Sequence, residues 1–198
     1  TMITSADGID ELVDTLEVHF LANDDGEVYF AAATDWADAA TQHTADDQTL
    51  LNLARNRIRA LNEKYGDRFL LFHRERRWNP SEDAWMGWER KRGKLHELNQ
   101  FLRGATDTTF LPECATEEVA ALLRPTRYVI TLDADSDLAL DNASRLAGIL
   151  SHPLNRAVVE PDSGRVTEGY AIIQPQVMNH IAEPGNSAFT RIYAGKTG

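Results

Sequence analysis

The segment Tyr128–Asp135, with the sequence Tyr-Val-Ile-Thr-Leu-Asp-Ala-Asp, most constrains what this chain can fold into. Its apolar and β-prone residues run directly into two carboxylates, and a run this short, bounded by polar residues, predicts a buried strand. Residues i and i+2 of an extended segment point the same way. We therefore expect Asp133 and Asp135 to converge on one divalent cation, because Mg²⁺ and Mn²⁺ prefer carboxylate and phosphate oxygens.

This Asp-x-Asp pattern at the end of a buried strand is typical of the metal–diphosphate site of a nucleotide-sugar enzyme. The alternative is a strand that simply ends in an acidic turn, because two aspartates at this spacing are common outside metal sites. The choice between them depends on the rest of the chain.

Helical and strand patterns alternate in the first part of the chain. Apolar residues recur at helical spacing over 9–20 and 50–65, which predicts two amphipathic helices. Strands are predicted at 27–34 and 68–73. This order predicts an α/β fold with a mostly parallel, Rossmann-like sheet flanked by helices.

In such sheets, ligands bind beyond the carboxyl ends of the strands. Asp35 follows the first predicted strand, so Asp35, the stretch after His73 and the pair Asp133 and Asp135 are expected at one edge. Taken alone, Asp35 is also typical of a helix cap or a turn.

The later part of the chain predicts shorter elements. Helices are expected at 94–102 and 117–123, a further helix after Asp141, and a last strand over 166–177. No repeat and no internal domain boundary is visible, so residues 1–198 are treated as one domain or a piece of one.

The block Arg74–Gly93 is basic, rich in Trp and without sustained periodicity, so it is predicted to be irregular. A long irregular segment inside a compact domain is usually functional or disordered. Its cations could neutralise phosphates while its Trp faces pack on a sugar or a base; alternatively it is a docking loop for a partner or for membrane headgroups. Taken singly, Arg76, Arg77 and Arg92 are interpreted as surface charges.

Composition excludes several classes of protein. The net charge of −11 argues against nucleic-acid binding. The single cysteine, Cys114, excludes an internal disulfide framework, and the six histidines show no zinc spacing. No apolar run approaches the roughly 20 residues of a membrane span, so the chain itself is expected to be soluble.

A set of motifs extends along nearly the whole chain: Arg77-Trp78-Asn79-Pro80, the block Trp85–Leu95, Tyr128–Asp135, His152-Pro153-Leu154-Asn155-Arg156, and Glu168-Gly169-Tyr170 with Gln174-Pro175. Together they resemble the glycosyltransferase domain of cyclic β-1,2-glucan synthases. More distantly, the pattern is similar to processive GT-A enzymes such as cellulose synthases.

The resemblance implies roles for particular residues. It places Asp35 against the uracil of the nucleotide, and Lys94 and Asn99 near the UDP diphosphate. It implies that Asp133 lies near the diphosphate and sugar and that Asp135 holds the metal, Mg²⁺ or Mn²⁺. A Gln-containing strand after the Asp-x-Asp is matched at Gln174.

The resemblance also implies an activity and a setting: inverting transfer of glucose from UDP-glucose onto a growing β-1,2-glucan acceptor. The parent would be a very large protein of the bacterial inner membrane, with its catalytic domain on the cytoplasmic face and a phosphorylase-like domain elsewhere. The partners would be the donor, the acceptor and the remainder of the synthase with its membrane helices.

The chain departs from the family pattern in four ways. The family's first strand is expected just before Thr1, and the catalytic base and the acceptor motif beyond Gly198, so no catalytic residue is identified. Ser136-Asp137 replaces the expected Thr-Gln. The chain is therefore interpreted as an excised, donor-side portion of a GT-A domain that is inactive alone; the alternatives are a nucleotide-sugar-binding module without turnover, or a structural α/β domain.

Overall fold

A computed structural model gives the fold of the chain and describes residues 1–25 and 28–175. Five α-helices and seven strands lie in these ranges, together with a 3₁₀ turn at Pro153–Asn155: β1 (Met2–Ile3), α1 (Ala6–Asn23), β2 (Phe30–Trp36), α2 (Asp47–Tyr65), β3 (Phe69–His73), β4 (Arg77–Asn79), β5 (Ala84–Met86), α3 (Arg90–Leu102), α4 (Glu117–Leu123), α5 (Asn142–Ser151), β6 (Val158–Val159) and β7 (Val166–Glu168). The chain divides into two compact units, Thr1–Ser144 and Arg145–Gly198.

The first unit is built on a three-stranded parallel sheet in the order β1-β2-β3. The register pairs Met2 with Asp35 and Thr34 with His73, so β2 lies in the middle. Helices α1 and α2 bury their apolar stripes in the main hydrophobic core that also contains Phe30 and Phe69. The α/β class and the parallel sheet are thus confirmed, and the arrangement is compatible with a Rossmann-like domain.

Local signals explain the helix ends that position this sheet. Ser5 caps α1 by accepting a hydrogen bond from the Gly8 amide at 3.1 Å. Gly66 ends α2 with φ of 87°, a conformation that costs glycine little. The Asn62 side chain then accepts from the Phe69 amide at 2.8 Å, which fixes the entry into β3.

The predicted irregular block after β3 is more ordered than its sequence indicates. Strands β4 and β5 form an antiparallel hairpin within it. Helix α3 begins at Arg90, four residues before the predicted start at Lys94. Periodicity does not reveal this hairpin, because three-residue strands are too short to show a period of two.

The predicted buried strand at Tyr128–Asp135 is wrong for this structure. The segment belongs to no strand, and the side chains of Tyr128, Val129, Ile130 and Leu132 are 39–45% exposed. A buried strand needs a neighbouring strand to satisfy its N–H and C=O groups. Within the described residues, the parallel sheet ends at β1 and β3 and supplies no partner to this segment.

The short strand Met2–Ile3 pairs with β2, and the family strand expected just before Thr1 stays a prediction. Farther along, the end of α1 is joined to the start of α5. The side chain of Asn23, which is buried, accepts from the Ala143 amide at 2.9 Å and donates to the Leu138 carbonyl at 3.4 Å.

The second unit contains a small antiparallel pair, β6 and β7. The predicted last strand extends only from Val166 to Glu168, and Gln174 is exposed and outside any strand. Gly169 explains the early end: its φ is 71°, and a Cβ there would lie 2.2 Å from the Arg156 carbonyl oxygen. Residues 176–177 of that predicted strand lie outside the described residues.

Candidate functional site

Asp35 lies at the carboxyl end of the middle strand, as its position after a predicted strand indicates. Its backbone amide donates to the Thr1 carbonyl at 3.0 Å, and its side chain is buried. A buried carboxylate is strongly disfavoured unless it is paired and hydrogen-bonded. The surroundings of Asp35 supply both.

Arg74 provides the first partner. It follows β3 directly, is fully buried, and donates from Nε to Asp35 Oδ1 at 2.6 Å. Its other nitrogens donate to Glu97 Oε1 at 3.1 Å and to the carbonyls of Trp88 and Arg90 at 3.0 and 2.9 Å. The guanidinium therefore joins the sheet edge to the segment that leads into α3.

Lys94 provides the second partner, from α3. Its Nζ donates to Asp35 Oδ2 at 2.8 Å and to the Thr1 carbonyl at 3.2 Å, and only 4% of the residue is exposed. Gly93, Lys94, Glu97 and Phe101 are the buried residues of α3. Positions three and four apart share a helix face, so this spacing turns Lys94 and Glu97 towards the sheet.

The four charged side chains form a buried cluster with equal numbers of positive and negative groups, Asp35 and Glu97 against Arg74 and Lys94. Glu97 Oε2 is itself satisfied by the Thr109 amide at 2.8 Å and hydroxyl at 2.7 Å. Burial opposes ionisation of Asp35, but the hydrogen bonds and charges of Arg74 and Lys94 outweigh it, so its pKa lies below the usual value. A ligand that uses Asp35 must add to these contacts or replace them.

A second buried ion pair lies beside the first. Arg76, expected at the surface, is 4% exposed and donates to both Asp47 oxygens, at 2.6 and 3.2 Å. Its Nε also donates to the Ala37 carbonyl at 2.7 Å. Because Asp47 opens α2, this pair fixes the start of that helix to the segment that precedes β4. The sequence contains one signal for this arrangement. Arg74 and Arg76 are at i and i+2 directly after a strand, a spacing that places two side chains on the same side of an extended segment.

His73 ends β3 within this polar region. Its side chain is fully buried and shares a hydrogen bond with Thr34 Oγ1 at 2.7 Å through Nδ1. Its Nε2 has no partner within the described residues. Burial lowers the pKa of His73 to about 4, so the ring is neutral at physiological pH.

Asp133 and Asp135 lie in a turn rather than on an extended strand. The Ser136 amide donates to the Asp133 carbonyl at 3.1 Å, and both side chains are exposed. The argument that i and i+2 point the same way therefore does not apply to them. Asp133 instead pairs with Lys91, whose hydrogen bond and charge lower the pKa of Asp133.

Helix α3 nevertheless links three of the predicted site residues, Asp35, Lys94 and Asp133. Lys91 contacts Asp133 and Lys94 contacts Asp35, and residues three apart on a helix are neighbours. Asn99 is not brought in: it is exposed and, five residues from Lys94, lies about 140° around the helix axis.

The acidic turn, which carries Asp133 and Asp135, offers carboxylate oxygens, and these are ligands that suit a hard cation. Mg²⁺ is usually bound by one or two carboxylates, with substrate phosphates and water completing its shell, and the turn offers two exposed carboxylates. Among the described residues, no group of three or more His, Cys, Asp or Glu side chains is placed to hold an ion. A metal at Asp133 and Asp135 therefore requires ligands from a bound molecule or from water.

An open cleft of about 380 Å³ lies elsewhere in the first unit, between α2, the start of β3 and the segment that precedes α4. Its lining includes Arg59, Asn62, Leu71 and Cys114. Since residues 69–71 begin β3, the cleft lies away from the carboxyl edge that carries Asp35. None of the predicted site residues lines it.

One curated protein shows a close match. The chain is 44% identical, over 197 residues, to the cyclic beta-(1,2)-glucan synthase NdvB of Rhizobium meliloti (strain 1021). The match covers 97% of this chain but only 7% of that protein, so the chain corresponds to a small segment of it. No protein-family model matches the chain. The identity supports the resemblance to cyclic β-1,2-glucan synthases.

The described residues contain no helix that is both long enough and apolar enough to cross a bilayer.

Proposed function

We propose that residues 1–198 are the donor-side portion of a GT-A glycosyltransferase domain that transfers glucose from UDP-glucose, with inversion, to build β-1,2-glucan. The observation that carries the proposal is the 44% identity along 97% of the chain to a cyclic glucan synthase. The larger protein would carry the membrane helices and hold this domain at the cytoplasmic face of the inner membrane.

The proposed reaction forms one bond and breaks one. An acceptor hydroxyl oxygen bonds to the anomeric carbon of glucose, the bond from that carbon to the diphosphate oxygen breaks, and UDP leaves with the electron pair. The acceptor proton passes to a general base, which must lie within hydrogen-bond reach. No described residue is assigned this role.

Asp35 and Lys94 would recognise the nucleotide. Each Asp35 oxygen accepts one hydrogen bond in this structure, from Arg74 or from Lys94. Since a carboxylate has about four lone-pair sites, it retains acceptor capacity for a uracil N–H. Lys94 supplies positive charge for the diphosphate, at the cost of its contact with Asp35, so donor binding is expected to rearrange this pair.

The acidic turn and α3 would act on the leaving diphosphate. Asp133 and Asp135 would hold Mg²⁺ or Mn²⁺, which supplies positive charge to the departing oxygens when it is bound. Lys91, which neutralises Asp133 here, would become available to the phosphates. Positive groups aimed at developing negative charge typically contribute a few kcal/mol to the barrier.

Calorimetric titration of UDP into the chain, with and without Mn²⁺, tests the proposal. We expect Mn²⁺-dependent binding that is weakened roughly tenfold or more by Asp135→Ala. Asp162→Ala is the matched control, because it removes the same charge from an exposed turn and should leave UDP affinity unchanged. A folded chain that binds no UDP under either condition would contradict the donor site.

A nucleotide-sugar-binding module without turnover is the second candidate. It is favoured because turnover needs a general base within reach of the acceptor hydroxyl, and no described residue is assigned that role. Hydrolysis or transfer of UDP-glucose distinguishes the two candidates, because both predict UDP binding and only the first predicts turnover.

A further inference from the structure

The β4–β5 hairpin carries a pair of tryptophans directly opposite each other. Trp78 pairs with Trp85 in the strand register, so both side chains lie on one face of the hairpin. Their ring centroids are 6.0 Å apart at 58°, and Trp78 is 46% exposed. A single exposed apolar residue needs no explanation, but the exposed ring of Trp78 continues into the half-buried ring of Trp85, and a wider apolar face of this kind is typical of an interaction surface.

The hairpin holds this pair in place. The Trp85 amide and carbonyl both bond to Ala39, at 2.9 and 3.0 Å, and Arg76 fixes the chain just before β4 through Asp47. Met86, at the end of β5, is 3% exposed and accepts a hydrogen bond from Asn79 at 3.4 Å. A surface ordered in advance loses little entropy on binding.

The charges around the pair exclude the anionic partners that the sequence left open. Every Lys or Arg between residues 74 and 93 has an acidic partner: Arg74 with Asp35, Arg76 with Asp47, Arg77 with Glu75, Arg90 with Asp38, Lys91 with Asp133, and Arg92 with Glu89. The hairpin itself contains Arg77 against Glu82 and Asp83. Its face is thus neutral to acidic, which does not attract phosphates or anionic headgroups.

A neutral, polyhydroxylated ligand fits this surface best. The faces of Trp rings are apolar and pack on the C–H faces of glucose, while the indole N–H can donate to a hydroxyl. Ser81, in the turn of the same hairpin, is exposed and adds an uncharged hydroxyl. We propose that Trp78 and Trp85 form a binding surface for a β-linked glucan chain.

This inference rests on the proposed function, which makes a glucan the polymer that this chain meets. It adds a binding surface for the polymer, separate from the donor contacts of Asp35 and Lys94. The two can fail separately, because glucan binding to the hairpin requires neither nucleotide nor metal.

Calorimetric titration of linear β-1,2-linked glucooligosaccharides into the chain, without UDP or metal, tests the inference. We expect binding that Trp78→Ala weakens roughly tenfold or more, since truncated aromatic anchors dominate such contacts. Trp78→Phe, which keeps an aromatic face, should restore part of the affinity. Because Trp78 is substantially exposed, its replacement should leave the unfolding midpoint unchanged.

Trp88→Ala is the matched control. Trp88 is also 46% exposed, but it lies outside the hairpin and its ring packs 6.1 Å from that of His96. Its replacement should leave glucan affinity unchanged; an equal loss in both variants would overturn the assignment to the hairpin. Absence of glucan binding in a chain that binds UDP would overturn this inference alone, as would binding of the same face to phosphatidylglycerol vesicles in place of glucan.

Discussion

Asp35 and Asp133 look alike in the sequence, since each follows a run of β-prone residues, yet they lie in opposite environments. Asp35 is buried between Arg74 and Lys94, whereas Asp133 is exposed in a turn with one exposed partner, Lys91. The difference lies in the strands before them. β2 is bordered on both sides by other strands, and the segment 128–132 pairs with none of the described strands. Burial of a carboxylate therefore follows from strand pairing rather than from the local residue pattern.

Replacement of the buried Arg74 should give the largest loss of stability. Arg74→Met leaves Asp35 and Glu97 without their shared partner, and loss of one member of a buried ion pair typically costs about 3–5 kcal/mol. Chemical denaturation should show this loss. Lys91→Met removes the exposed partner of Asp133 and should leave the unfolding midpoint unchanged. Equal effects in the two variants would contradict the comparison.

Acidification should give the second-largest loss of stability, through His73. Burial lowers the pKa of His73 from 6.5 to about 4, so the folded state resists a proton that the unfolded state accepts. This contribution is fully present above pH 6.5 and is lost as the pH falls towards 4, by about 3 kcal/mol in total. Urea unfolding across this window measures the slope.

His73→Gln is the control for that slope. It cannot be protonated, so stability should depend less on pH between 6.5 and 4. Burial also lowers the pKa of His19, so a shallower dependence should remain rather than none. An unchanged slope in the variant would show that His73 is not the group responsible.

A methyl group added beside Asp35 should have a smaller effect. A Cβ at Gly87 would lie 2.8 Å from Asp35 Oδ1 and 2.9 Å from Arg74 Nη2. Gly87→Ala should destabilise the chain by about 1–3 kcal/mol through overpacking. Gly148→Ala, in α5, meets nothing within 4 Å and should stabilise the helix by up to about 1 kcal/mol. Thermal unfolding of both variants measures the contrast.

The smallest change in stability is expected in the exposed segment Tyr128–Asp135. Ile130 is 39% exposed, so Ile130→Ser should change stability by no more than about 0.5 kcal/mol. Leu71→Ala, in the buried β3, should cost about 2–5 kcal/mol. A loss at Ile130 as large as that at Leu71 would show that Tyr128–Asp135 is packed in solution.

Much of the first unit could be predicted because its signals are local. The apolar stripe of α1, the cap at Ser5 and the glycine at the end of α2 each lie within a few residues of the structure they specify. Asp35 at the carboxyl edge followed from the alternation of helix and strand. These features depend on periodicity and turn chemistry, which a single sequence contains.

The cluster around Asp35 could not be predicted, since it joins residues that are far apart in the chain. Lys94 and Asp35 are separated by 59 positions, and nothing near Arg74 or Arg76 indicates burial. The same limit explains the error at Tyr128–Asp135, where the composition suits a strand and the decisive factor is whether another strand lies beside it. The roles of Asp35, Lys94, Asn99, Asp133 and Asp135 in donor and metal binding remain predictions.

The contact of Asn23 with Ala143 has a consequence for folding kinetics. The two residues are 120 positions apart, and the entropy cost of closing a loop rises with its length. Contacts this distant in sequence form slowly compared with those inside α1 or α2. In a pulse-labelling experiment, the Ala143 amide should therefore gain protection from hydrogen exchange later than the amides of those helices, and so mark the closing step of the first unit.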